Sequence, residues 1–143
     1  MPHDQPQIKR HQAEDGVTVI TVLDPETLSD GRGPLYGVID DLAHTPGPRR
    51  VVVNLHHVKA INSSAIGVMI NFQKKLRDVG GSVRFCEIDP FVLNVLTLTK
   101  VDQILHLLPT EEAALASFRE SGGKTQGQGK ARGTSWVSRF FGK

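Results

Sequence analysis

Two adjacent serines, Ser63 and Ser64, stand between Asn62 and Ala65-Ile66-Gly67 in a chain of 143 residues. Asn and Ser are favoured where a helix begins, because their side-chain oxygens accept N–H groups that have no partner inside the helix. A serine in a first helical turn is exposed, and the free N–H groups and the helix dipole around it favour negative charge. The spacing therefore offers a hydroxyl to which a phosphate can be added and from which it can be removed. Taken alone, the same three residues are also an ordinary helix cap.

Few other residues suggest chemistry. His56-His57 would point to opposite faces of an extended connector, without the Cys or carboxylate cluster that a metal needs. Cys86 sits among apolar residues and reads as an inert core thiol. Asp24 precedes Pro25 and reads as a turn residue. No glycine-rich phosphate loop, nucleophile triad or paired-carboxylate motif appears, so no catalytic residue, cofactor or metal is expected.

The elements that must hold the serines follow from periodicity. Residues 7–14 are weakly strand-like, Asp15-Gly16 suggests a hairpin turn, and the β-branched run Val17 to Leu23 makes a strong strand. Leu35, Val38, Ile39 and Leu42 predict a helix over 34–44, ended by Pro46-Gly47-Pro48. Residues 50–55 are apolar at consecutive positions, as in a central strand covered on both faces. The serine helix carries its core stripe at Ala65, Met69, Phe72, Leu76 and Val79 and ends at Gly80-Gly81. A strand at 82–87 comes next. Asp89-Pro90 then opens a third helix with Val92, Val95 and Leu96 buried. Gln103 to Leu107 predicts a short last strand, and Thr110 caps a fourth helix that begins with Glu111 and Glu112. The order β-β-α-β-α-β-α-β-α predicts an α/β fold. It has a mixed, mainly parallel sheet of four to five strands with about four helices packed against it.

Composition bounds the rest. The chain suits one domain, over 1–120, and a lone cysteine gives no disulfide scaffold. No apolar run approaches the roughly 20 residues that span a bilayer, and the N-terminus lacks a signal-peptide pattern, so a cytoplasmic protein is expected. Residues 1–118 carry 11 Lys and Arg against 14 Asp and Glu, whereas residues 119–143 carry 6 against one. The basic excess lies in the tail, so direct nucleic-acid binding by the domain is not expected. Residues 121–133 read as a flexible Gly-rich linker. The last segment, 134–143, then gathers Trp136 with Phe140 and Val137 with Phe141 at i,i+4, beside Arg139 and Lys143. Such a cluster predicts docking on a partner, contact with an anionic membrane, or folding back onto the domain.

The motifs together resemble the STAS domain of the anti-sigma factor antagonist family. Asn54-Leu55-His56-His57-Val58 is similar to its "D-L-S-x-V", and Asn62-Ser63-Ser64-Ala65-Ile66-Gly67 to its "D-S-S-G-L-G". Leu98 to Ile104 resembles "T-G-L-D-x-x-F", and Thr110 to Leu115 resembles "S-x-x-E-A-L". The resemblance covers residues 7–118. It implies a non-enzymatic binding module that an anti-sigma factor with serine kinase activity phosphorylates at Ser63, with Ser64 the second candidate for the same role, and that a phosphatase restores. It also implies a partner surface of Asn62, Ser63, Ser64, Ala65, Ile66 and Gly67, with Asp24 nearby. STAS-like domains serve as accessory subunits of lipid or solute transporters too, which is the alternative role. Three residues depart from the pattern. Asn62 replaces Asp and removes a charge beside the hydroxyl, Ala65 replaces Gly, and Lys100 replaces a Gly that would suit positive φ.

Overall fold

The computed structural model describes residues 8–13, 16–24, 28, 34–44 and 49–121. Of the expected linker over 121–133, Ser121 is the last residue of a helix, and residues 122–133 lie outside them, as do the tail residues Trp136, Val137, Arg139, Phe140 and Phe141. Four strands form one sheet in the order β1 (Ile8–Gln12), β2 (Thr18–Val22), β3 (Arg49–Asn54), β4 (Gly81–Cys86). β1 runs antiparallel to β2, and β2, β3 and β4 run parallel. The sheet is thus mixed and mainly parallel, as the alternation predicts. Gly16, at φ +74°, supplies the left-handed residue that the hairpin between β1 and β2 uses.

Strand alternation divides the core in two. Ile20, Val22, Val51, Val53, Val83 and Phe85 face α1 (Pro34–Ala43), α2 (Ser63–Asp78) and α3 (Pro90–Leu98). Val17, Val19, Val52 and Cys86 face Ala114 and Phe118 of α4 (Glu111–Ser121). β3 has apolar cover on both faces, which explains its unbroken valine run. The β3–β4 register sets Arg49 against Gly81, where an added Cβ would lie 2.6 Å from the Arg49 carbonyl oxygen. Only glycine permits that approach. Arg49 also donates from Nε to the Leu42 carbonyl at 2.6 Å, covering the open end of α1 with a cation.

The expected strand over 103–107 does not form. Residues Val101–Gln103 make a 3-10 turn, and only Leu107 pairs with the sheet, in a parallel bridge to Phe85. The Gln73 side chain explains this. Its Nε2 donates to the Ile104 carbonyl at 2.8 Å and its Oε1 accepts the His106 N–H at 3.2 Å. Backbone groups that a strand ladder would use are thereby satisfied by a side chain from α2. Pro109, which has no N–H, follows at once and stops further pairing. One burial expectation also shifts. In α3 the buried residues are Val92, Leu93 and Leu96, with Val95 half-buried. Val79, at the C-cap of α2, is half-buried and packs against the core at the end of the stripe.

Candidate functional site

Asn62 adopts extended backbone geometry, and its Oδ1 accepts the Ala65 N–H at 2.9 Å. Its carbonyl accepts the Ile66 N–H at 3.1 Å, the first helical bond of α2. Ser63 and Ser64 are therefore the first two helical residues, both exposed. Among the described residues no hydrogen bond takes up their backbone N–H groups, and the first turn contains no acidic residue. The electrostatics at Ser63 thus favour an added anion.

The platform beneath is rigid. Ala65, Val68, Met69, Phe72 and Leu76 bury one stripe of α2 in the core. The connector from β3 is pinned as well, since Leu55 and Val58 are fully buried and the Leu55 N–H bonds the Cys86 carbonyl at 2.9 Å. Of the residues expected on the partner surface, Asn62, Ser63 and Ser64 are exposed, while Ile66 and Gly67 are half-buried. The Ala65 side chain turns into the core, at 3% exposure, and offers a partner nothing. Asp24 follows the carboxyl end of β2, and β2 ends beside the end of β3, so Asp24 shares the sheet edge from which α2 starts.

His56 and His57 occupy a turn rather than an extended connector. Their rings meet edge to face with centroids 5.1 Å apart, so they do not point to opposite faces. Among the described residues no group of three or more His, Cys, Asp or Glu is arranged to hold a metal. Burial, and then the nearby Glu111 and Glu87 carboxylates, push the Cys86 thiol far up, which keeps it protonated.

Two polar clusters escaped the sequence reading. Asn54, at the end of β3, accepts the His56 N–H and donates to Glu111 Oε1, each at 2.8 Å. Glu87, at φ +56°, accepts the Glu111 N–H at 2.8 Å. These contacts tie the connector before α2 to the start of α4. The second cluster lies under α4. Arg84 is 8% exposed, donates to Ser117 Oγ at 2.9 Å and stacks 4.2 Å over the Phe118 ring. Its Nη1 lies 3.3 Å from His106 Nδ1. Burial and then Arg50 lower Arg84 to about 10, while burial and then Arg84 lower His106 to about 4, leaving the imidazole neutral. An arginine inside a strand reads as solvent-facing, so periodicity alone gave no signal of the Arg84 cluster.

A sequence model of the STAS domain matches residues 5–114. The chain belongs to the STAS domain family. Over 73 residues it is 34% identical to a Bordetella bronchiseptica protein named as an anti-sigma factor antagonist, BtrV. That match covers 51% of this chain and 63% of BtrV, under two thirds of its length. The STAS fold also recurs in solved structures. An anti-sigma-factor antagonist (STAS) domain protein from Planctomyces limnophilus superposes with a TM-score of 0.63 at 21% identity, covering 78% of this chain and 97% of that one. The Thermotoga maritima protein TM1081 gives 0.66 at 21% identity over 78% and 94%. Murine Slc26a9, an anion transporter, gives 0.64 at 16% identity over 76% of this chain and 18% of its own. At these identities the structural likeness establishes the fold alone.

Proposed function

We propose that this STAS domain is a non-enzymatic regulatory module. It binds an anti-sigma factor that is also a serine kinase through the start of α2, and phosphorylation of Ser63 releases it. The observation that carries the reading is the exposed Ser63 hydroxyl at the first position of a helix whose opposite face is locked in the core. The likeness to BtrV, named as an anti-sigma factor antagonist, supports the partner class. A phosphate brings a charge of about −1.5 to −2 at neutral pH. The helix start tolerates that charge, whereas a partner presenting acidic or apolar groups to the same surface does not. Each penalty of about 1.4 kcal/mol weakens the complex tenfold, so a few kcal/mol dissociates it without any change of fold. A phosphatase then resets the module.

Intact-mass measurement on the protein from its native cells tests this, comparing wild type with Ser63→Ala and Ser64→Ala. The expected result is a singly phosphorylated species that Ser63→Ala abolishes and Ser64→Ala retains. If no growth condition yields that species, the phosphoswitch reading is wrong. Among the described residues no helix is long and apolar enough to cross a membrane. The alternative accessory-subunit role predicts instead a transporter that co-purifies with the domain whatever residue stands at 63.

A further inference from the structure

Three large apolar side chains stand exposed among the described residues: Phe91 at 61%, Leu98 at 73% and Ile104 at 54%. Two of them lie on α3. Phe91, Val95 and Leu98 recur at i, i+4 and i+7 and so share one helix face, opposite the Val92, Leu93 and Leu96 face that enters the core. α3 is thus apolar on both sides, and its outer stripe faces solvent. A helix of that kind is normally covered.

We propose that residues 134–143 of this same chain cover the outer face of α3, with Trp136 and Phe140 against Phe91, Val95 and Leu98. Two observations select this occupant. The tail offers a matching apolar set at i,i+4, including the only tryptophan in the chain. The tether also reaches. β4 and the bridge at Leu107 run in the same direction, so α3 and α4 both run back from the carboxyl edge of the sheet. Leu98 and the end of α4 therefore lie at one edge, on opposite faces, separated by roughly two helix diameters, or about 20 Å. Twelve residues, 122–133, give a root-mean-square span of about 19 Å. A tether of that length holds the tail at an effective concentration on the order of millimolar, which favours closure within one molecule over capture of a second copy.

The contact also bears on the serine surface. Lys59, in the approach to α2, pairs with Asp89, the cap of α3, at 3.9 Å. A tail lying over Phe91 therefore borders the ground that a partner at Ser63 would occupy.

Trp136 itself reports the answer in the full chain. Its emission should be blue-shifted, and its quenching by acrylamide weaker than in a synthetic peptide of residues 134–143, at every protein concentration. Leu98→Asp and Phe91→Asp, both on exposed positions, should restore peptide-like emission and quenching while far-UV circular dichroism stays unchanged. Phe140→Ala, which leaves the domain untouched, should do the same. Peptide-like Trp136 in the wild-type chain overturns the proposal, including the case where shielding appears only with anionic lipid vesicles. Shielding that grows with concentration alongside dimer in sedimentation assigns the face to a second copy and overturns it too. Shielding that survives all three substitutions shows that the tail docks elsewhere.

Discussion

Substituting Asn62 separates its role in the fold from the role it would have in the proposed switch. Asn62→Ala deletes the 2.9 Å bond from the Ala65 N–H and leaves the rest of the first turn in place. Loss of such a cap costs about 1 kcal/mol, which in a domain of this size lowers the melting temperature by about 4 °C. Asn62→Asp keeps the accepting oxygen and adds a full negative charge where the first turn has no acid of its own. The charge meets the positive end of the helix dipole and gains about 0.3–1 kcal/mol. The two variants should therefore lie on opposite sides of wild type, up to about 2 kcal/mol apart, in urea titrations at neutral pH. Salt distinguishes the two contributions. The gain from Asp shrinks at high ionic strength, while the loss from Ala, a missing hydrogen bond, does not. If the charge at this position also serves kinase recognition, Asn62→Asp accelerates phosphate transfer to Ser63 in a time course with the kinase. A stable Asn62→Ala protein with an unchanged urea midpoint would refute the capping argument. A destabilised Asn62→Asp protein would refute the electrostatic one.

Gly81→Ala forces a methyl to within 2.6 Å of the Arg49 carbonyl oxygen, between paired strands that cannot separate, and should cost about 1–3 kcal/mol in thermal unfolding. Lys100 holds φ at +63°, so Lys100→Gly should gain about 0.5–1 kcal/mol, the relief of left-handed strain less the added freedom of the unfolded chain; an unchanged or lowered midpoint counts against that strain. His106 is lowered to about 4 by burial and then by Arg84, so the unfolded chain takes up a proton near pH 6.5 while the folded chain does not. Stability is therefore whole above about pH 6.5 and falls towards pH 4 by on the order of 1–2 kcal/mol, limited by partial solvent contact, and His106→Gln should show a shallower fall in urea titrations across that range.

Legibility in the sequence followed how local each cause is. α2 could be read because its cap and core stripe lie within one segment, from Asn62 to Leu76. β3 could be read because burial on both faces leaves only one kind of residue at 51–53. The last strand could not, because what replaces its ladder is the side chain of Gln73, more than thirty residues away. α3 misled for a related reason. Its apolar residues lie all round the helix, and only the sheet decides that Leu93 rather than Val95 turns inward. Of the site, the exposed place of Ser63 and Ser64 behind the Asn62 cap was local, but the inward turn of Ala65 and the Asn54–Glu111 link depend on what packs across from them.

The rigidity of the site constrains how any signal can act. Ala65, Met69, Phe72, Leu55 and Val58 are all buried on the core side of the Ser63 surface, and Asn54 joins its approach to α4. Well-packed side chains of this kind do not yield to a charge added on the outside, because displacing even one opens a cavity that costs about 2–5 kcal/mol for a Leu or Met. A surface charge at a helix start contributes only about 0.3–1 kcal/mol to the fold itself. Core packing outweighs the added charge, so the message stays at the surface as charge and shape. A surface neighbour can then modulate it, and the Lys59–Asp89 pair brings the start of α3 beside the approach to α2. A tail on that face would regulate the switch by occupying ground beside it, with the fold of the domain unchanged.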